Sequence, residues 1–462
     1  MKKILSLLLA LTIVLSLCAC GGGSGSGETK REGLHAGYSR QSIMPDGPVG
    51  LGGYSNSDTR KSTGFLDYVY CTCVAFASGE DTLLMFMFDT CGFGLTKELR
   101  ALVSKETGVP ENHITTSASH THAGPVVDDS PAYQELVFNQ AVKAAKEALA
   151  DLAPATMYGA NIQTERMNFI RHYKQQDGSI TSANLGNLDK VTLEGHAREP
   201  DPELVMIRAE REGDKEDIVI MNFAAHPCFT GGSSNTVISA DYIGSFRTTF
   251  EQETGMKFAF LQGGAGDGIT NSVIKEIDNG YDWQEYGAAL TKYAVDALPT
   301  MEKVEDQTIK ISQNMFTYAA NHYGEDQLDD AKRVMEYYNT NREAAVELAT
   351  QLGFYSINHA KGVVRAHNNP DELTAELDAI SIGGIGFVTV PGEVFAQTAM
   401  YVKDNSPFTY TVFCELTNGG LSYMPIKEAY EYPSYEGFVA KFGKGFAEAF
   451  SEELITMLKG LQ

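Results

Sequence analysis

Ser117–Pro125 reads S-A-S-H-T-H-A-G-P. It follows the extended run Ile114-Thr115-Thr116 and stops at Gly124-Pro125, a turn signal. If that run is a strand, its two-residue period places His120 and His122 on one face at the strand end. Two imidazoles beside a turn are well placed to meet a metal or a substrate. The alternative is that they simply hydrogen-bond inside the fold. Other strands of the chain end in the same way. Thr82–Phe88 is apolar and ends at Asp89, and Asp217–Ala225 ends at His226-Pro227. Phe258–Leu261 ends in the glycine-rich run Gly263–Gly268. Ala379–Val390, a strand pair broken at Gly383-Gly384, ends at Pro391-Gly392-Glu393, and Thr409–Glu415 runs on to Asn418–Tyr423.

Between these strands the apolar spacing changes to a helical period. Helices are expected over Thr96–Thr107, Tyr133–Leu152, Trp283–Met301, Asp326–Leu352 and about Phe446–Leu458. The mixture predicts an α/β fold with central mixed β-sheets flanked by helices. Asp217–Ala225 is almost continuously apolar, which suits a central strand covered on both faces. Polar residues at strand ends are where α/β folds gather their sites. There is no convincing linker, so residues 33–462 read as a single large catalytic domain.

With 462 residues and 43% hydrophobic content, the chain can bury a large core. Its net charge of −24 repels phosphate backbones, which argues against a nucleic-acid partner. It also gives no electrostatic help in docking onto anionic lipid. Lys2-Lys3, the apolar run Ile4–Leu17 and the ending Leu17-Cys18-Ala19-Cys20 read as a lipoprotein signal peptide and lipobox over residues 1–20. Lipidation is expected on Cys20, with residues 21–32 as a flexible Gly/Ser tether. The expected location is the cell envelope, extracytoplasmic, with the lipid anchor as the membrane attachment. Cys71, Cys73, Cys91, Cys228 and Cys414 follow the leader and match no zinc-knuckle spacing. Cys71 and Cys73, two apart in a strand-like run, suit side-by-side core positions.

A hydrolytic zinc site needs about three or four N/O ligands and one open position. The candidates are His120 or His122, His226, Glu393 and a tyrosine. Four stretches in order resemble the neutral/alkaline (non-lysosomal) ceramidase family in its N-terminal catalytic domain. They are S-A-S-H-T-H-A-G-P, N-F-A-A-H-P at Asn222–Pro227, V-P-G-E at Val390–Glu393, and Y-M-P-x-K-E-A-Y-x-Y-P-S-Y-E at Tyr423–Glu436. Thr417-Asn418-Gly419, Ile238–Asp241 and Gly266-Asp267 support the match, which covers roughly Gly33 to Gln462.

The resemblance implies zinc held by His120, His226, Glu393 and Tyr423. It implies that Tyr435 contacts the scissile amide and that His122 binds substrate or moves a proton, although His120 and His122 could trade roles. Arg171 matches a substrate-binding arginine, with Arg166 as a competing alignment. His122, Tyr435 and Asp267 are the catalytic candidates. The implied protein is an extracytoplasmic zinc-dependent amidohydrolase that cleaves an N-acyl or ceramide-like amide, a small-molecule or lipid substrate, with metal-activated water. The other readings are a solute-binding lipoprotein and a zinc-binding family member that has lost catalysis. One departure is specific. The family's G-D-V-S-P-N is Gly266-Asp267-Gly268-Ile269-Thr270-Asn271 here, so Ile269 stands where the family has a serine. The family's enzymes also continue into a β-sandwich domain, which the resemblance does not reach.

Overall fold

The computed structural model describes residues 31–54, 56–185, 188 and 191–462. The signal peptide, Cys20 and nearly all of the expected tether lie outside the described residues. The first strand, β1, spans Arg31–Ser42 and so takes in the last two residues expected in the tether.

Among the described residues, nine strands form one sheet. After β1 they are β2 (Tyr70–Gly79), β3 (Asp81–Phe88), β4 (Ile114–Ala118), β5 (Ala153–Gln163), β6 (Glu203–Arg211), β7 (Ile218–Phe223), β8 (Lys257–Gln262) and β9 (Glu302–Val304). The order is β8-β7-β6-β5-β1-β2-β3-β4, with β9 also paired to β5. A four-stranded sheet follows: β10 (Ile309–Ala319), β11 (Glu372–Ile382), β12 (Ile385–Thr389) and β13 (Thr411–Cys414). Mixed α/β architecture is thus present as the sequence indicates.

Alternation along the strands builds the layers. Val74 and Phe76 of β2 and Ile218 and Ile220 of β7 share one buried cluster with Ile380 and Ile382 of β11 and Phe387 of β12. The two sheets therefore pack face to face. Cys71, Cys73 and Ala75 point the other way, against α1 (Thr96–Thr107) and α2 (Pro131–Ala150). Val219, Met221 and Phe223 do the same against α3 (Tyr242–Thr254) and α4 (Trp283–Ala297). Each phenylalanine or leucine buried in these layers contributes about 1.5–3 kcal/mol.

The helix expected over Asp326–Leu352 is two helices, α5 (Leu328–Thr340) and α6 (Arg342–Gln351). Asn341 between them is extended, and its side chain accepts the Ala344 N–H. An asparagine inside a periodic run can cap a new helix instead of continuing the old one. A further helix, α7 (Ile357–Asn368), was not legible in the sequence. Neither was β5, whose Pro154 and Gly159 argue against a strand until pairing with β6 over residues 155–163 and with β1 at Ala153 and Pro154 overrides them. The four-stranded sheet is covered by α8 (Ala396–Asp404) and α10 (Phe446–Gly460), which pack on Ala375, Leu377 and Ala379 of β11. The short α9 (Tyr435–Val439) lies beside α7. Among the described residues no helix is long and apolar enough to cross a membrane.

Within these two sheets the pairs β3–β4, β7–β8 and β12–β13 are parallel, so the strands of each pair end together. The sheets are tied at these ends. Ser117 bridges to Thr417, and Asn418 both donates its N–H to Thr116 and accepts the Thr116 N–H through its side chain. The Asn418 side chain also donates to the buried Asp378 of β11 at 2.7 Å. That knot fixes the loop after β13 against the end of β4.

Candidate metal centre

The stretch that follows β4 does not continue as a strand. β4 stops at Ala118, and His120 takes a left-handed backbone with φ 69°. Strand alternation is therefore not what brings His120 and His122 together. The turn does so, leaving their Nε2 atoms 3.3 Å apart. His120 is buried, and its Nδ1 lies 2.7 Å from the Cys91 carbonyl oxygen. A carbonyl only accepts, so Nδ1 carries a proton and Nε2 is the nitrogen turned to the cluster.

His226, beyond β7, is treated in the same way. It is fully buried, with Nδ1 2.9 Å from the Gly268 carbonyl oxygen. Burial, helped by Arg171, holds its imidazole down at about 4, in the neutral form. Glu393 starts a two-residue strand, Glu393–Val394, that pairs in parallel with Tyr423–Met424, so Glu393 and Tyr423 are register partners. Glu393 Oε2 lies 3.3 Å from both His120 Nε2 and His226 Nε2, yet it has no hydrogen-bond partner. Burial would raise this carboxyl, but the facing His120 and His226 hold it well below the usual carboxylate range.

The result is two imidazole Nε2 atoms and a carboxylate oxygen converging in a buried space. Such a set repels itself unless a cation or a proton sits among its members. His120, His226 and Glu393 form one group whose ligand atoms all lie within 4.8 Å of one another. Donation of each Nδ1–H to a backbone carbonyl is the outer support that metal-binding histidines need. The residues present thus fit a divalent metal with nitrogen and oxygen ligands. Cys91, His120 and His122 make a second grouping of this kind. It competes poorly, because His120 Nδ1 is already committed to the Cys91 carbonyl.

Tyr423 is buried beside Glu393, and burial together with that carboxylate raises its hydroxyl well above the usual range. The Tyr435 ring packs edge-on to it at 5.5 Å. Burial, with Glu393, pushes the Tyr435 hydroxyl up to about 12, so it remains a proton donor at neutral pH. His122 packs edge-on to Tyr54 and leaves Nδ1 without a partner. Gly53 is needed here: its φ is 94°, and a Cβ would meet the His122 ring at 2.4 Å. A cavity of about 220 Å³, lined in part by Gly52, Gly53, Cys91 and Pro125, borders this side of the cluster.

Of the two candidate arginines, Arg166 is exposed and Arg171 is buried at the cluster. Arg171 Nη1 lies 3.4 Å from His226 Nε2, and the guanidinium sits over the Tyr423 ring. Asp267 is not brought into the cluster. Its carboxylate accepts from the Ala396 N–H at 2.9 Å and pairs with Arg198 at 3.4 Å. It braces the loop behind His226 and α8. Ile269 bridges to His226 through the backbone, and Thr270 hydrogen-bonds to Asn271.

Solved structures share this architecture. A neutral ceramidase from Pseudomonas aeruginosa superposes with a TM-score of 0.69 and 17% identity, covering 93% of this chain and 75% of that one. A ceramidase complexed with C2 gives 0.70 and 16% over the same shares. The chain has the neutral ceramidase fold. No protein-family model matches the sequence, and no curated protein matches it either. On the ceramidase fold, the histidines, the glutamate and the two tyrosines singled out in the sequence come together. The carbonyls of Cys91 and Gly268, which aim both imidazoles, carry no sequence signal, since any residue supplies a carbonyl. Glu436 was part of the tyrosine-rich motif, but nothing in the sequence marks it as fully buried.

Proposed function

We propose that this protein is a divergent member of the neutral ceramidase family, a zinc-dependent hydrolase of an amide bond in an N-acyl or ceramide-like substrate. The observation that carries the reading is the convergence of His120 Nε2, His226 Nε2 and Glu393 Oε2 with both Nδ1 atoms already committed. Tyr423, the register partner of Glu393, completes the proposed ligand set. Zinc held there would supply Lewis acidity to a carbonyl and to water.

The chain's own groups divide the remaining work. Arg171 Nη1 and the Tyr435 hydroxyl donate to the substrate's carbonyl oxygen, where negative charge develops as the amide is attacked. His122, whose Nδ1 is unpartnered, moves a proton to the leaving amine. Burial excludes bulk water from these donors. With Ile269 in the position of the family's serine, the proposed nucleophile is water. Residues 1–20 are proposed to be a lipoprotein signal cleaved before Cys20, and a lipid on the Cys20 sulfur to anchor the protein on the extracytoplasmic side of the membrane. Metabolic labelling with a radiolabelled fatty acid, lost in Cys20→Ala, tests that part.

The deciding experiment is metal analysis of the purified protein with turnover of a short-chain N-acyl reporter. About one zinc per chain, lost in His226→Ala together with hydrolysis, is the expected result. Full metal occupancy in His226→Ala would remove that ligand. A metal-free wild type that binds a small solute tightly without turning it over would overturn the enzyme reading.

A further inference from the structure

Behind Arg171 lies a buried charge network that the proposed reaction does not itself use. Glu436, in the first turn of α9, is fully buried. Its Oε1 accepts from Arg171 Nε at 2.7 Å. Its Oε2 lies 2.8 Å from His172 Nε2 and 3.4 Å from the Ser182 hydroxyl. His172 is also fully buried, and its Nδ1 lies 2.7 Å from the Tyr432 hydroxyl and 3.1 Å from Arg198 Nη2. Arginine only donates, so His172 Nδ1 accepts and the ring proton sits on Nε2, facing Glu436. Arg198 is held in turn by Tyr432 and Asp267. Donation therefore runs from Arg198 through His172 to Glu436, and Arg171 donates into the same carboxylate from its other side.

The guanidinium has three directions to satisfy. Nε goes to Glu436, and Nη2 goes to the Gly266 carbonyl at 2.7 Å. That leaves Nη1, which faces the cluster beside His226. A buried carboxylate without both partners would be costly, and a buried arginine without it equally so.

We propose that Glu436 is the positioning residue of the site, fixing Arg171 so that Nη1 points at the scissile carbonyl, with His172 and Arg198 holding Glu436 in turn. This rests on the amide-hydrolase reading for its consequence but not for its geometry. A fixed arginine fork loses less freedom when it meets the substrate oxygen, so the gain appears in turnover. Glu436 touches neither substrate nor metal, and its effect passes through Arg171.

Two readouts test it. In the first, wild type, Glu436→Gln, Arg171→Gln and the double variant are assayed on a short-chain N-acyl amide with zinc content measured alongside. Both single variants are expected to lose roughly 10²-fold in kcat, with KM changed less than about threefold and zinc retained. The double variant should fall no further than either single one. Glu436→Asp, which keeps the charge, should recover part of the loss. Multiplying losses, or Glu436→Gln with unchanged kcat, would overturn the proposal.

The second readout needs no activity. The Arg171 Nε–H resonance, assigned by its loss in Arg171→Gln, should be shifted and protected from exchange in wild type, and it should lose that protection in Glu436→Gln. A rapidly exchanging, unshifted Nε–H in wild type overturns the proposal even if the Glu436 variants fail to fold. A protected resonance in a protein that does not hydrolyse amides would keep the positioning role and remove the amide-hydrolase reading instead.

Discussion

The two halves of the candidate ligand set are held by different means. His120 and His226 leave strand ends of the nine-stranded sheet, and each is aimed by its own Nδ1–H, donated to a backbone carbonyl. Glu393 and Tyr423 follow strands of the four-stranded sheet and are aimed by the backbone, through the parallel pairing of Glu393–Val394 with Tyr423–Met424. The histidine half is thus oriented one side chain at a time. The carboxylate–tyrosine half is oriented as a unit, and it meets the histidines only because the two sheets pack face to face. A site of this kind should fail in two distinguishable ways, through loss of one ligand or through displacement of a pair.

The largest effect is expected from removing a member of either half. His226→Ala and Glu393→Ala should each reduce zinc from about one per chain to under roughly a tenth, with activity down by more than ~10³-fold, read by metal analysis and reporter turnover. Next comes displacement of the pair. A Cβ at Gly392 would meet the Ser422 carbonyl at 2.5 Å and the end of Met424, so Gly392→Val should shift Glu393 and Tyr423 together. Zinc affinity should fall about 10–100-fold while the histidine Nδ1–H resonances persist. Loss of those resonances as well would mean that the halves are not separately held.

Tyr435→Phe should lower kcat roughly 10²-fold with zinc and KM retained, because it removes a donor and no ligand. A smaller effect concerns pH. Burial would raise the Glu436 carboxyl, but His172 and Arg171 outweigh it and hold it down at about 2, against an ordinary 4.5. A lowered carboxyl contributes stability that is fully present above the unfolded value and is lost as pH falls through the folded one. Chemical denaturation between about pH 5 and 2 should therefore show a decline on the order of 3 kcal/mol that is absent in Glu436→Gln. The smallest change is expected for Ile269→Ser, with zinc unchanged and turnover altered by less than about tenfold. A gain beyond that would return the serine position to the chemistry.

Much of the fold could be read before any coordinates. Thr96–Thr107 is the helix that its periodicity and Gly108 stop indicate, and the strands ending near Asp89, His226 and Gly263 are present. These elements have strong local patterns. β5 and the α5–α6 break were not legible, because pairing partners and a mid-run cap decided them. At the site, the motif order singled out His120, His226, Glu393, Tyr423 and Tyr435, and the structure brings them together. The sequence put Arg171 first with Arg166 as a competing alignment, and burial against the cluster favours Arg171.

The sequence by itself determined the chemical types at the strand ends: imidazoles after β4 and β7, a carboxylate after β12 and phenols beyond β13. Only the tertiary structure decided which atoms converge. His120 and His122 stand two residues apart in one motif, and nothing in their spacing separates a ligand from a proton carrier. The left-handed turn at His120 and the Cys91 carbonyl commit its Nδ1 and turn its Nε2 to the cluster, whereas His122 Nδ1 is left without a partner. Hydrogen bonds to backbone carbonyls depend on where the chain returns in space, and local composition does not encode that return.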